Sequence, residues 1–187
     1  MNKQEIEARL NELGIEKYFI SGDGQVDVNG TVDISFKDLT EIPIQFGTVK
    51  GDFNCSNNQL ETLKGSPTTV GVSFFCHENL LISLESAPQT VGTAFVCSNN
   101  ILTTLQGAPK VVNGSFNCSG NLLTSLEGAP EYVNGVFDCT DNRLTALEGI
   151  PKYIKRVLYC SGNPIPQDII VKYQGMSLFV IISDEDE

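Results

Sequence analysis

The stretch VNGSFNCSGNLLTSLEGAPEY (residues 112–132) is followed at once by a second version of itself, VNGVFDCTDNRLTALEGIPKY (residues 133–153). Further versions continue in both directions at a constant spacing of 21 residues. The copies begin at Val28, Val49, Val70, Val91, Val112, Val133 and Ile154. Five of them match closely, the first is worn and the last is truncated. A fixed period of this length is typical of a repeat solenoid, in which each copy packs on its neighbours.

Two inward columns explain why the copies stack. Apolar residues two positions apart predict a short strand with both side chains on one side. The first column is Val32, Phe53, Phe74, Phe95, Phe116, Phe137 and Leu158; the second is Ile34, Cys55, Cys76, Cys97, Cys118, Cys139 and Cys160. Because a single copy cannot bury its apolar side alone, we expect a continuous parallel sheet over one core.

An asparagine follows the strand in every copy from the second onward. The column is Asn58, Asn79, Asn100, Asn121, Asn142 and Asn163. A buried amide here would give hydrogen-bond partners to loop backbone groups that otherwise remain unpaired. Each of the five strong copies also ends with a proline, which predicts an extended chain rather than a helix on the far side of the solenoid.

The pattern FxCSxNxLTSLEGAP resembles the leucine-rich repeat, L-x-L-x-x-N-x-L, in its short bacterial form with an extended, proline-containing convex side. The resemblance covers about Gly22 to Pro166. A lead-in such as VDVNGTVDISFKDLTEIPIQFGTVKGDFNCS before copies of LTSLEGAP is also similar to leucine-rich-repeat proteins of large tailed bacteriophages. The first copy departs from the pattern, with Lys37 in the asparagine column. The resemblance implies a binding scaffold whose parallel sheet forms the concave face, without giving the partner.

The expected fold is therefore a mainly β repeat solenoid, a leucine-rich-repeat slab with capped ends. We divide it into an N-terminal helical cap (1–27), seven repeats (28–163), and a C-terminal cap with an acidic tail (164–187). Lys3–Leu13 has helical spacing and ends at Gly14, which predicts a capping helix. A short helix near Pro166 and an extended segment at 177–182 are expected to close the other end. The tail Asp184–Glu187 is expected to be solvated, or less often an interaction arm.

Composition and charge exclude several classes. The chain has 187 residues and a formal net charge of -11, with a pI near 4.4, which argues against binding to a nucleic-acid backbone. No apolar stretch is long enough for a membrane span, and the N-terminus lacks the apolar core of a signal peptide. We therefore expect a cytoplasmic protein, in the host cytoplasm if it is encoded by a phage.

The six cysteines recur in one inward column that Ile34 fills in the first copy, so we interpret them as buried, reduced thiols. A disulfide framework remains an alternative, because neighbouring parallel strands bring Cα atoms within bridging range. A zinc site would require close pairs such as C-x-x-C, and the sequence has none. We expect no metal and no cofactor; Asp/Asn-rich loops such as 140–142 lack the spaced oxygen ligands of a calcium site.

The stretch SFFCHENL (residues 73–80) contains the single histidine of the chain beside a cysteine and a glutamate. It has the components of a thiol hydrolase. However, Cys76 and His77 are adjacent in a strand and point to opposite sides, so they cannot form the thiol–imidazole hydrogen bond that such catalysis needs. No glycine-rich phosphate loop or spaced carboxylate pair supports another activity. We therefore predict no catalytic residues and no enzyme.

Outward-facing strand residues are the expected binding surface. Most copies carry small polar residues there, whereas the third and fourth carry Phe75, His77 and Val96. The predicted partner-binding residues are Phe75, His77, Val96, Asn117, Asp138 and Tyr159, with Leu80, Ile101 and Leu122 at a neighbouring variable position. Exposed aromatic residues edged by polar ones often mark partner sites.

Three functions follow as hypotheses. The first is a non-enzymatic module that binds another protein through the concave face and rim. If the chain is encoded by a phage, the target would be a host protein and the result inhibition of a host defence or metabolic enzyme. The second is a structural or self-assembling component, with the apolar rim forming a homodimer. The third is an acidic mimic of nucleic acid that blocks a DNA-binding protein.

Overall fold

The computed structural model describes residues 1–174 and 179–181 as a parallel β-solenoid with a helix near each end. In chain order the elements are α1 (Lys3–Leu13), β1 (Tyr18–Ile20), β2 (Val26–Val28), β3 (Val32–Asp33), β4 (Phe46–Val49), β5 (Phe53–Asn54), β6 (Thr69–Val70), β7 (Phe74–Phe75), β8 (Thr90–Val91), β9 (Phe95–Val96), β10 (Val111–Val112), β11 (Phe116–Asn117), β12 (Tyr132–Val133), β13 (Phe137–Asp138), β14 (Tyr153–Ile154), β15 (Val157–Tyr159), α2 (Gln167–Gln174) and β16 (Phe179–Ile181). The expected mainly β, capped repeat solenoid is confirmed.

The first sheet, which we call the phenylalanine sheet, has eight strands in the order β16-β15-β13-β11-β9-β7-β5-β3. Its strands pair in parallel, and partners are one repeat apart, as for Phe53 with Phe74 and Phe74 with Phe95. A continuous ladder of this kind was predicted from the two inward columns. Because the register equals the repeat length, every column of the sequence becomes a straight row of side chains across the sheet.

A second ladder runs beside the first and was not predicted. The residues that begin each copy form short parallel strands, as in the pairing of Val49 with Val70. These strands form two separate valine sheets: β2-β4-β6-β8, to which β1 adds antiparallel beside β2, and β10-β12-β14. The ladder is broken between β8 and β10. The sequence indicated only that the chain is extended after each proline, since a single inward residue per copy carries no strand periodicity.

The core is a stack of identical side chains. The rings of Phe53, Phe74, Phe95, Phe116 and Phe137 are fully buried, with neighbouring centroids 5.1–5.8 Å apart. The six cysteines are buried and their thiols are free, which confirms the expected burial. Several thiols donate to a backbone carbonyl of the next copy; for Cys118 the acceptor is the carbonyl oxygen of Asp138 at 3.4 Å.

The asparagine column forms the predicted hydrogen-bond ladder. The Nδ2 of Asn121 donates to the carbonyl oxygens of Cys118 and Ser119 in its own copy and of Cys97 in the preceding copy, at 3.0–3.1 Å. Its Oδ1 accepts the backbone N–H of Leu102 at 3.0 Å. Each amide is thus satisfied by backbone groups of two copies, which locks neighbouring turns together.

The worn first copy is built differently, as Lys37 suggested. The Oδ1 of Asn58, from the second copy, accepts backbone N–H groups of both Lys37 and Leu39 at 3.0 Å. Phe36 and Asp38 both have φ of 52°, whereas the later copies have a left-handed residue in the column of Phe36 but none in the column of Asp38. The second copy therefore supplies the side chain that organises the first.

Both predicted helices are present. Asn2 and Glu5 form a reciprocal capping box at the start of α1, Gly14 ends it with φ of 72°, and Ile6 and Leu10 are buried against the first copy. Pro166 immediately precedes α2. Of the extended segment expected at 177–182, the described part is β16, which adds to the phenylalanine sheet beside β15. The rest of it and the tail Asp184–Glu187 lie outside the described residues. Within the described chain, neither helix has the length and apolarity needed to cross a membrane.

Candidate protein-binding surface

The outward row of the phenylalanine sheet contains most of the predicted site residues. Strand register places the members side by side in the order Asp33, Asn54, Phe75, Val96, Asn117, Asp138 and Tyr159. Phe75 and Val96 are directly paired and half-buried, and we call them the central pair. The structure brings Asn117 next to Val96. Tyr159 lies three strands away from Val96, at the C-terminal end of the row.

In four copies, the residue of this row accepts hydrogen bonds from the serine or threonine two positions later, which forms the same polar turn each time. In the second copy, the Oδ1 of Asn54 accepts the backbone N–H of Ser56 at 3.1 Å and its hydroxyl at 2.7 Å. The matching pairs are Asp33 with Ser35, Asn117 with Ser119 and Asp138 with Thr140. These side chains satisfy each other within their own copy. They therefore offer few free donors to a ligand.

The third and fourth copies lack that turn. Phe75 and Val96 stand where the polar residue would accept, so the local network is replaced by an apolar surface in the middle of the row. The serines of these outward columns are also less exposed than the side chains of a fully solvated surface would be. Ser56 and Ser98, in the column of His77, are buried, as is Ser73 before the central pair.

His77 is half-buried beside Phe75, with ring centroids 6.2 Å apart and planes at 88°. Its Nδ1 is buried and has no hydrogen-bond partner among the described residues. Burial lowers the pKa of His77 from its usual 6.5, and the nearby Glu78 carboxylate opposes this only in part. His77 is therefore a neutral ring at neutral pH that extends the apolar surface of Phe75.

A second apolar surface lies beyond the strand-following turns of the third, fourth and fifth copies. We call Leu80, Ile82, Ile101 and Leu122 the rim strip. The exposed fractions are 44% for Leu80, 57% for Ile82 and 40% for Ile101, so these side chains do not tuck under their turns, whereas Leu122 is half-buried. The backbone N–H of Leu80 donates to Leu60 and that of Ile101 to Leu81, which places Leu80 and Ile101 in adjacent turns.

The central pair and the rim strip are not one continuous patch. Turn residues separate them, and the Nδ2 of Asn99 donates to the Oε1 of Glu78 at 2.8 Å across the third and fourth copies. The sequence placed both groups in the same copies, but it did not show this polar bridge. A partner that covers both surfaces must therefore also contact, or displace, the Glu78–Asn99 pair.

The structure also tests the chemistry of SFFCHENL. Cys76 is fully buried, and burial raises the pKa of its thiol well above the usual range. A neutral buried thiol is a poor nucleophile. In the described part of the chain, no group of three or more histidine, cysteine or acidic side chains is arranged to hold a metal ion.

Sequence reasoning missed two features on the valine sheets. An open groove of about 590 Å³ at the N-terminal end is lined by residues that include Lys17, Phe19 and Lys50. At the C-terminal end, Val111, Tyr132 and Tyr153 are exposed. All of these positions immediately precede or follow the inward residues of a strand. For Val111, Tyr132 and Tyr153 the only sequence signal is their position directly before the inward residue of the valine column; Lys17 and Phe19 lie at β1, before the repeats, and carry no repeat signal.

No protein-family model matches the chain, and a search of the curated proteins found no match.

Proposed function

We propose that this protein is a non-enzymatic module that binds another protein through the outward face of its phenylalanine sheet, the face that the repeat pattern predicts to be concave. The observation that supports this most directly is the replacement of the polar turn by Phe75 and Val96 in two central copies, while flanking copies keep it. A solvated surface without a partner gains nothing from such a change.

The energetics favour an anchor at this point. Aromatic side chains near the middle of an interface contribute most of its binding free energy when polar neighbours exclude water around them. Asn54 and Asn117 flank the central pair, and their Oδ1 atoms already accept two hydrogen bonds each. They can therefore be covered by a partner at a smaller desolvation penalty than unpaired amides would carry.

The nature of the partner is proposed from the repeat pattern. Its similarity to leucine-rich-repeat proteins of large tailed bacteriophages supports a bacterial host protein as the target and inhibition of a host defence protein as the effect. In that case the protein would act in the host cytoplasm. Exposure of Leu80, Ile82 and Ile101 also fits the alternative of a homodimer, with a second copy covering the rim strip.

Affinity capture from a bacterial host lysate, followed by mass spectrometry, tests the proposal. The test variant combines Phe75→Ala with Val96→Asp. The matched control combines Phe19→Ala with Val72→Asp, which makes the same changes at exposed positions outside the strands of the phenylalanine sheet. Both variants should unfold at temperatures close to that of the wild type.

We expect the wild type and the control to retain the same host protein and the test variant to lose it. Equal capture by both variants would reject the site. Light scattering across a dilution series addresses the alternative: a dimer that the test variant or Ile82→Asp dissociates would assign these surfaces to self-assembly instead.

A further inference from the structure

The three-stranded valine sheet exposes an aromatic row that the proposed function does not use. Strands β10, β12 and β14 pair in register, so that Val111, Tyr132 and Tyr153 lie side by side. Their exposed fractions are 44%, 46% and 46%. In each two-residue strand the second residue is buried, which turns the first outward. The earlier copies carry Thr48, Thr69 and Thr90 at this position, so the row changes from hydroxyls to large side chains in the last three strands.

Positive charge surrounds this row. Lys110, Lys155 and Arg156 are exposed, and within the described chain none of them lies within 4 Å of a carboxylate. Lys152, just before β14, is different, because it pairs with Glu131, just before β12. Four of the chain's twelve basic residues therefore immediately precede or follow β10 and β14, and the acidic residue just before β12, Glu131, is already paired. We use the name tyrosine face for the row Val111, Tyr132 and Tyr153 together with the three unpaired cations Lys110, Lys155 and Arg156.

The location is unusual because the chain as a whole is acidic, with 23 acidic residues and a formal net charge of -11. Screening in salt solution limits the reach of exposed charges to about 10 Å at 0.1 M. A ligand seated on the tyrosine face therefore experiences mainly its local cations. Glu127 and Glu148 are exposed in the loops before β12 and β14 and would repel an acidic ligand that extends beyond the tyrosine face.

We infer that the tyrosine face binds a short acidic segment of a partner polypeptide. Carboxylates of the segment would pair with Lys110, Lys155 and Arg156, while its apolar side chains would cover the rings of Tyr132 and Tyr153. Tyrosine and arginine are the residue types that most often anchor interfaces, because they combine a large contact area with a polar end.

The dimensions of the face favour a peptide over nucleic acid. Strands about 4.8 Å apart make the row about 10 Å long, which an extended peptide of three or four residues spans. A phosphate backbone would continue past the row and meet the acidic remainder of the surface. A short acidic segment contacts the cations without that repulsion.

Fluorescence anisotropy provides the test. The probe is a fluorescein-labelled peptide in which glutamates flank a central phenylalanine, and the control probe has glutamines in place of the glutamates. Two variants of the full chain are compared with the wild type: Lys155→Glu with Arg156→Glu, and Tyr132→Ser with Tyr153→Ser. The matched control is Lys37→Glu with Lys64→Glu, which reverses the same number of exposed lysine or arginine charges away from this face.

We expect the wild type and the control variant to bind the glutamate probe, and the charge-reversed variant to bind it about tenfold more weakly. The serine variant should also bind it more weakly, and rising salt should weaken binding throughout. Equal binding of the glutamine probe, or an equal loss in the control variant, would overturn the inference. Tighter binding of an oligothymidylate of the same charge would overturn the peptide assignment.

Sedimentation velocity without peptide tests whether the tyrosine face instead binds a second copy of this chain. Self-association that is lost in the charge-reversed variant would assign the face to a second copy of this chain and overturn the inference. A monomer in all variants, together with the expected peptide affinities, would support it. None of these residues belongs to the central pair or the rim strip, so the outcome is independent of the host-lysate experiment.

Discussion

The Nδ2 of Asn100 donates a hydrogen bond to the backbone carbonyl oxygen of Cys76, in the preceding copy, at 3.1 Å. The same nitrogen serves two carbonyls of its own copy, and the Oδ1 accepts the N–H of Leu81 at 3.0 Å. One buried side chain therefore satisfies four backbone groups of two turns.

Replacing Asn100 with alanine should consequently destabilise the protein. Each buried backbone group left without a partner raises the free energy of the folded state by about 1–3 kcal/mol, although relaxation and water entry reduce the sum. We expect a loss of about 3 kcal/mol in the free energy of unfolding, measured by urea denaturation. The control is Asn113→Ala, at an exposed position directly after β10. It should change the free energy of unfolding by less than about 0.5 kcal/mol. Similar effects of the two variants would contradict the role of the asparagine ladder.

The cysteine column should be chemically silent in the folded protein. Burial raises the pKa of these thiols, to about 11 for Cys160 and further for the fully buried ones. Because the thiolate is the reactive species, a thiol reagent should modify the native protein very slowly, with Cys160 first, and should titrate six thiols after denaturation without reductant. Fewer than six would show that disulfides form within the column.

Stability should respond to the protonation of His77. Burial lowers its pKa below the usual 6.5, so the unfolded chain binds a proton at a higher pH than the folded protein does. The contribution of His77 to the free energy of unfolding is therefore fully present above about pH 6.5 and is lost as the pH falls toward the pKa of the folded protein. Below that pKa the contribution no longer changes with pH. The difference in free energy of unfolding between the wild type and His77→Gln should fall over this window. A difference that does not depend on pH would contradict the prediction.

Between each valine strand and the following strand of the phenylalanine sheet, the backbones of neighbouring copies come close together. We expect an added methyl group at the closest of these contacts to destabilise the protein. A Cβ built on Gly92 would overlap the backbone carbonyl oxygen of Gly71 in the preceding copy. We expect Gly92→Ala to lower the free energy of unfolding by about 1–3 kcal/mol, as overpacking of a rigid contact does. The control is Gly22→Ala, where the Cβ has no neighbour within 4 Å and the expected change is small. Thermal unfolding of both variants measures the effect, and equal midpoints would reject it.

Much of this structure could be predicted because the repeat forces equivalent residues into rows. The inward phenylalanine and cysteine columns alternate with outward residues, and this alternation identifies the strand without further information. The asparagine column could be assigned because a buried amide needs backbone partners. Both capping helices were predictable from spacing and from a boundary residue, since Gly14 ends α1 and Pro166 precedes α2.

Other features depend on contacts that periodicity does not encode. The valine ladder contains one inward residue per copy, so the sequence alone could not distinguish a strand from an extended loop. The antiparallel pairing of Tyr18 with Val28 occurs once and leaves no repeat. The bridge from Asn99 to Glu78 joins side chains of different copies, and only their placement in adjacent turns reveals that it divides the candidate surface.

The match between the strand register and the repeat length has a further meaning for how such a protein evolves. In the phenylalanine sheet each strong copy pairs with the next in the same register, so an in-frame duplication or deletion of one strong copy would preserve the pairing of that sheet. The number of units is then free to drift while both caps stay the same. If the proposed function holds, selection must preserve the order of the copies, because the outward row has its apolar centre only while the copies with Phe75 and Val96 remain neighbours.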